Sequence, residues 1–260
     1  MIVGIDHIVI AVCDLPAGAA AYEVLLNRKA DVTQRRDGVA RAVITSPNVA
    51  VELMAPEGAG AGADRLAAAL ADGEGLKSLV FAAAEIERVH RHCGRVGLAP
   101  EPIVAGDGRR SFRANTERTH GVRIFFIERT APPTDASKGG LDHVVIRSSD
   151  PERAAALYGA RLGLDMRLDR EVLGRRLLFF RCGDSIVEIV HDRQAPADSD
   201  RLWGLSWRVG DADVERTRLA DAGFDVSEVR AGMKPGTRVF TLRSGTCGVP
   251  TLMIEPSKRD

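Results

Sequence analysis

Apolar and polar positions along the chain alternate in short runs that switch between strand and helix periods. Residues 8–12, Ile-Val-Ile-Ala-Val, are a β-branched run that reads as a buried strand. Asp14 stands where an N-cap belongs, and residues 15–26 carry apolar side chains at helical spacing, Tyr22 among them. Residues 41–45 and 48–54 read as strands joined by a hairpin signal at Ser46-Pro47-Asn48, and residues 31–36 add one more strand. The order is β-α-β-β-β, and residues 141–190 repeat it. A looser version predicts a strand at 76–83, a helix at 85–96 and strands running to Glu128. It returns as a strand at 202–209, a helix at 212–222 and strands running to Glu255.

The patterns recur because the residues recur. Gly4-Ile5-Asp6-His7-Ile8-Val9-Ile10 returns as Gly140-Leu141-Asp142-His143-Val144-Val145-Ile146, a shift of 136 residues. Asp14, Tyr22, Val51 and Glu52 return as Asp150, Tyr158, Val187 and Glu188 at the same shift. The looser segments align at their ends, where Thr119-His120-Gly121-Val122 before Ile127-Glu128 matches Thr246-Cys247-Gly248-Val249 before Ile254-Glu255. The chain therefore holds four modules in the order A-B-A′-B′, and a repeat of this length decides how the fold is parsed. The run Gly58-Ala59-Gly60-Ala61-Gly62-Ala63 reads as a flexible connector. A Pro-, Gly- and Ser-bearing stretch at 131–139 divides the chain into domains at 1–130 and 140–260, and residues 194–200 form a smaller polar linker.

Composition narrows the function classes. Of the 260 residues 45% are hydrophobic, enough for real cores, and no apolar run reaches membrane-spanning length. The N-terminal residues lack a basic start and an apolar signal core, so no export signal is expected. Thirty-six basic residues balance thirty-six acidic ones, which argues against a nucleic-acid partner. Four cysteines without CxxC spacing suit a reducing cytoplasm, and the Ala and Arg usage suits a bacterial gene.

Four β-α-β-β-β modules, the A copies opening on Gly-x-Asp-His strands, resemble the vicinal oxygen chelate superfamily of glyoxalases, methylmalonyl-CoA epimerases, extradiol dioxygenases and bleomycin-resistance proteins. The resemblance covers nearly the whole chain. It implies an α+β fold of two glyoxalase-like domains, each of two βαβββ modules, with curved mixed sheets and helices outside. Domain exchange is common among proteins resembling this one, which allows a homodimer.

Strand alternation points to the same region. If Ile8, Ile10 and Val12 face the helix, then His7, Val9 and Ala11 face away. Val51 and Leu53 take the helix face likewise, leaving Glu52 on the other side with His7, and the count is identical for His143 and Glu188. An imidazole and a carboxylate in one cup suit a divalent metal such as Zn, Fe, Mn, Co or Ni. The metal candidates are His7, Glu52, His143, Glu188, Glu128 and Glu255, with Glu52 and Glu188 also the candidate general bases.

The B modules depart from the family's ligand pattern. Lys77-Ser78 and Trp203-Gly204 stand where an epimerase has its paired histidines, and Phe125 and Leu252 stand where its carboxylate is expected. Glu128 and Glu255 lie three residues later. With A joined to B, each cup holds at most one of these histidines and two of these glutamates. With A facing A′, one site would hold His7, Glu52, His143 and Glu188. Gly204 counts against extradiol dioxygenase activity, which by resemblance needs a histidine there.

Other candidates read as structural. Arg109, Arg110, Arg113, Arg118 and Arg123 beside His120 form a cluster suited to a carboxylate or phosphate, or else a solvated hairpin face. His90 and His92, two apart on a helix, read as surface residues, and Trp203 and Trp207 share a face that suits core packing or, as the alternative, the lining of a ligand pocket. The functional expectation is a divalent-metal isomerase or lyase of the glyoxalase and epimerase type, handling a small oxygenated substrate through an enediolate. Its rival is a metal-free small-molecule binding protein of the bleomycin-resistance type.

Overall fold

The computed structural model describes residues 1–106, 108–129 and 139–257. Strands β1 (Ile2–Ala11), β2 (Asp31–Arg36), β3 (Val39–Thr45), β4 (Ala50–Pro56), β5 (Gly75–Ala83), β6 (Val104–Gly106), β7 (Arg109–Arg113) and β8 (Arg123–Glu128) form one curved mixed sheet. Its order is β2-β3-β4-β1-β5-β8-β7-β6. Strands β9 (Gly140–Ser148), β10 (Asp165–Val172), β11 (Arg175–Cys182), β12 (Ser185–His191), β13 (Arg201–Arg208), β14 (Arg230–Ala231), β15 (Arg238–Leu242) and β16 (Thr251–Glu255) form the other. Its order, β10-β11-β12-β9-β13-β16-β15-β14, repeats the first. Module A thus joins B in one sheet and A′ joins B′ in the other.

Five helices are described: α1 (Leu15–Leu26), α2 (Ala61–Leu70), α3 (Ile86–Arg95), α4 (Pro151–Ala155) and α5 (Ala212–Asp221). None is long and apolar enough to cross a membrane. The linker expected over 131–139 lies, apart from Gly139, outside the described residues. By proximity the chain divides into two compact units, and the divisions fall inside strands β1, β5, β9 and β13. One unit holds Met1–His7, Ser78–Thr134 and His143–Trp203; the other holds Ile8–Lys77, Asp135–Asp142 and Gly204–Asp260.

In the first unit an aromatic core forms under α3. Phe112 stacks on Phe126 with ring centroids 4.7 Å apart, and Phe81 lies 5.9 Å from Phe126. Asp150 caps α4 by accepting from the Arg153 amide at 3.0 Å, and Pro151 fits the first turn because its missing N–H needs no partner. The helix then widens into a π-helical turn at Ala156–Arg161, where the Leu162 amide reaches back to the Leu157 carbonyl at 2.9 Å. Arg161 from that turn donates to the Val96, Gly97 and Arg118 carbonyls, tying it to the end of α3.

In the second unit Asp14 caps α1 in the same way, accepting from the Ala17 amide at 2.9 Å, and the helix ends at Asn27 in the left-handed region. Tyr22, fully buried, donates to the Thr246 carbonyl at 3.3 Å. The connector expected at Gly58–Ala63 is overturned in part, because Ala61 begins α2. Alanine-rich residues 61–70 favour a helix, and Ala63, Leu66 and Ala69 bury one stripe of it. Leu66 packs with Ala11 and Val39, a tertiary contact that a Gly-Ala run does not advertise.

Candidate functional site

The most complete site geometry lies in the first unit. In β12 the side chains of Val187 and Ile189 are buried while Ile186, Glu188 and Val190 are half-exposed, so the strand has one packed and one open face. Parallel pairing sets His143 of β9 beside Ile186 and Val145 beside Glu188. Residues directly opposite in a ladder point the same way, so His143, Val145, Ile186 and Glu188 share the open face. Antiparallel pairing with β11 puts Phe179 opposite Glu188 on that face, with Leu177 opposite Val190. Phe179 meets the His143 ring edge-on, with centroids 5.8 Å apart at 74°. Farther along β9, Arg147 lies over Trp203, 4.1 Å from its ring centroid, and pairs with Asp192 at 3.4 Å.

The equivalent histidine, His7, has a partner that the sequence reading did not assign. His7 Nδ1 donates to Asp6 Oδ1 at 2.6 Å, and Asp6, 1% exposed, also forms an ion pair with Arg129. A carboxylate on Nδ1 fixes the tautomer and leaves Nε2 as the acceptor or ligand atom. The available signal was the aspartate that precedes both histidines. In the second unit Asp142 Oδ1 accepts from Arg208 Nε at 2.6 Å.

Glu52, also in the second unit, lies opposite Val43 in the β3–β4 pairing, and its Oε1 is 3.4 Å from Arg41 Nη1. Counting the repeat across, Leu177 takes the place of Arg41 and Phe179 the place of Val43. Glu188 is therefore flanked on β11 by a leucine and a phenylalanine where Glu52 is flanked by an arginine and a valine.

Glu128 and Glu255 are engaged elsewhere. Glu128 shares the face of the buried Ile124 and Phe126 and is gripped by both prongs of Arg110, with Arg110 Nε to Glu128 Oε2 at 2.7 Å. Arg110 also pairs with Glu87 on α3, which sets Glu128 on the helix side of its strand. Those two carboxylates hold the Arg110 guanidinium well above its ordinary pKa. Glu255 accepts from the Ala212 amide at 2.9 Å, capping α5, and from Arg238. Among the described residues, no three His, Cys, Asp or Glu side chains are grouped as metal ligands would be.

The remaining candidates divide clearly. Arg110 and Arg113 of the basic hairpin are taken by Glu128, Glu87 and Glu101. His90 and His92 are half-buried rather than surface residues, each bonded to a carbonyl, of Glu101 at 2.9 Å and Arg161 at 2.8 Å. His120 lies near Arg153 and Asp200, and burial followed by the Arg153 charge holds its pKa below the usual value. Asp200 is buried and pairs with Arg153 at 2.7 Å. All four cysteines are free thiols. Burial pushes Cys93 up to about 12 and Cys247 up to about 11, so neither is an activated nucleophile.

Residues 5–163 match the family described as glyoxalase-like domain, and residues 142–241 match the glyoxalase/bleomycin resistance protein/dioxygenase superfamily. No curated protein matches the chain. Among solved structures, a mutant 4-hydroxymandelate synthase from Streptomyces coelicolor aligns with a TM-score of 0.77 at 15% identity, covering 100% of this chain and 95% of that one. The Mn(II)-bound glyoxalase from Novosphingobium aromaticivorans aligns with a TM-score of 0.70 at 15% identity, covering 99% and 83%. BphC, a halotolerant catechol dioxygenase, aligns at 0.66 and 11% identity, covering 100% and 89%. At these identities the likeness is one of fold. With the first family match spanning more than half its residues, the chain belongs to the glyoxalase-like domain family, within the vicinal oxygen chelate superfamily.

Proposed function

We propose that the protein is a divalent-metal-dependent enzyme of the glyoxalase, epimerase or lyase type, acting on a small oxygenated substrate at the His143–Glu188 face. The observation that carries this reading is the register that sets an imidazole and a carboxylate on one half-exposed face beside Phe179. The donor types suit Zn, Fe, Mn, Co or Ni. Catalytic sites of this kind ordinarily use about three protein ligands. Two donors fall short of that number, and a substrate offering two adjacent oxygens would complete the set.

His143 and Glu188 would hold the ion, which when bound supplies Lewis acidity to the substrate oxygens. Glu188 would move the proton at the carbon beside those oxygens as general base. Val145, Ile186, Val190 and Phe179 would limit water around the carboxylate. The place of Arg41 is filled by Leu177 in this copy, so the wall beside Glu188 is apolar. His7 and Glu52 are the equivalents of His143 and Glu188 by the repeat, and Asp6 would orient His7. Glu128 and Glu255, committed to Arg110 and to the start of α5, stand outside both sets. The free thiols support a reducing, cytoplasmic setting.

A second reading, metal-free binding of a small molecule on the same face, is favoured by the missing third ligand. Elemental analysis after loading with Fe, Mn, Co, Ni and Zn separates the two. Stoichiometric uptake that disappears in His143→Ala supports the metal enzyme. No uptake of any ion, with or without a vicinal-diol or α-hydroxy-ketone chelator present, refutes it and leaves the binding protein.

A further inference from the structure

We propose that the second unit carries a binding pocket for a small carboxylate of single-ring or branched-chain size, separate from the His143–Glu188 face. The pocket has a volume of about 240 Å³ and lies where the C-terminus of α1 meets β13. That is less than the ~300–1,000 Å³ of drug-sized sites, which sets the size of the ligand. Leu25, Trp207 and Met253, all nearly fully buried, back the pocket, and Arg28 stands among the lining residues.

Two groups in that lining call for an acceptor. Trp207 is 2% exposed, yet its indole Nε1 has no hydrogen-bond partner among the described residues. An indole N–H can only donate, and burying one unpaired costs free energy that a ligand oxygen would recover. Arg28 is exposed and its guanidinium is in no ion pair among the described residues, whereas the other charged lining residues are matched. Arg208 is held by Asp142 at 2.6 Å, and Glu215 by Arg218 at 2.6 Å. Arg218 also donates to the Val24 carbonyl at 2.8 Å and to the Leu25 carbonyl, covering the negative end of α1 that would otherwise repel an anion.

Beside the lining residues Pro47 and Gly140 the backbone is fixed by side-chain hydrogen bonds. Asn48 accepts from the Leu141 amide and donates to the Leu141 carbonyl, both at 2.8 Å. Gly140, at φ +104°, leaves no room for a side chain against Asn48. The repeat shows that the donor is a particular of this copy. In the B module Phe81 lies opposite Phe126 at the register position that Trp207 and Met253 hold in B′. A phenylalanine there fills space; a tryptophan fills space and offers a proton.

The test is calorimetric titration of the full, metal-free chain with benzoate, phenylacetate and isovalerate, with benzamide as the neutral control. One saturable site per chain is expected for at least one acid. Loss of a hydrogen bond to a charged acceptor predicts affinity about tenfold weaker in Trp207→Phe. Arg28→Gln, an exposed change that leaves the core intact, should abolish the preference for benzoate over benzamide. Trp203→Phe and His143→Ala should bind as the parent does. Saturable binding by none of the three acids overturns the proposal. So does unchanged binding in Arg28→Gln, or loss of binding in His143→Ala, which would move the site to the other face.

Discussion

Tyr22 and Tyr158 occupy the same place in the two copies of the repeat, and removing one oxygen from each should change stability in opposite directions. Both are fully buried, and burial raises both pKa values, so each is a neutral phenol at any pH where the protein is folded. Tyr22 donates to the Thr246 carbonyl at 3.3 Å. That bond is long, and the carbonyl keeps a second donor, the Val249 amide at 3.0 Å. Tyr22→Phe should therefore cost about 1 kcal/mol, within the ~0.5–1.5 kcal/mol net worth of such a bond. The Tyr158 hydroxyl has no hydrogen-bond partner among the described residues. Burying an unpaired hydroxyl costs about 1–3 kcal/mol, so Tyr158→Phe should be neutral or stabilise by about 1 kcal/mol. Urea denaturation measures both, by comparing midpoints between variants whose slopes agree, because a chain with two compact units need not unfold in one step. In a thermal scan the two variants should diverge by roughly 2–4 °C for each kcal/mol. Equal losses in both would refute the reasoning, since they would mean that the Tyr158 oxygen is satisfied.

Asp200, whose side chain is fully buried, pairs with Arg153 at 2.7 Å; Asp200→Ala leaves that cation without its partner and should cost about 3–5 kcal/mol by urea midpoint. Acidification should destabilise the protein in part through His120. Its folded pKa is depressed, so its contribution is present above the unfolded value of about 6.5 and is lost as pH falls through the folded value. His120→Asn, which tolerates the backbone φ of 54° at this position, should lose less of its urea midpoint between neutrality and about pH 5 than the parent does.

What could be read from the sequence was whatever depends on period and repetition. Alternation along residues 50–54 and 185–190 separated helix-facing from open-facing side chains, and the burial of Val51, Leu53, Val187 and Ile189 matches that separation. What could not be read depends on a partner distant in sequence. Glu128 was a candidate because it lies three residues past the expected carboxylate position at Phe125, and only the folded hairpin brings Arg110 onto both of its oxygens. Glu255 serves the α5 N-terminus across a gap of 43 residues. The α2 helix was hidden because its first residues share a Gly-Ala composition with linkers, and what selects the helix is Leu66 finding Ala11 and Val39. The π-helical turn had no signal at all, since the two copies keep the same length through it.

The aspartate before each histidine is the part of the repeat whose surroundings say most about its purpose. Asp6 takes its arginine from position 129, just past β8, whereas Asp142 takes one from position 208, at the end of β13. The residue equivalent to Arg129 is Pro256, and the residue equivalent to Arg208 is Ala82, so neither cation has a counterpart in the other copy. Two unrelated positions have thus come to neutralise the same carboxylate. If the aspartate were packing material, its replacement by an apolar residue would have removed the need for any cation, since a buried ion pair seldom outperforms well-packed hydrophobic groups. What both copies retain is an ionised oxygen next to a histidine. In the first copy that oxygen holds Nδ1–H at 2.6 Å and so commits Nε2 to whatever the ring meets. A carboxylate kept through a change of partner is better explained by the chemistry of the histidine beside it than by the stability of the strand.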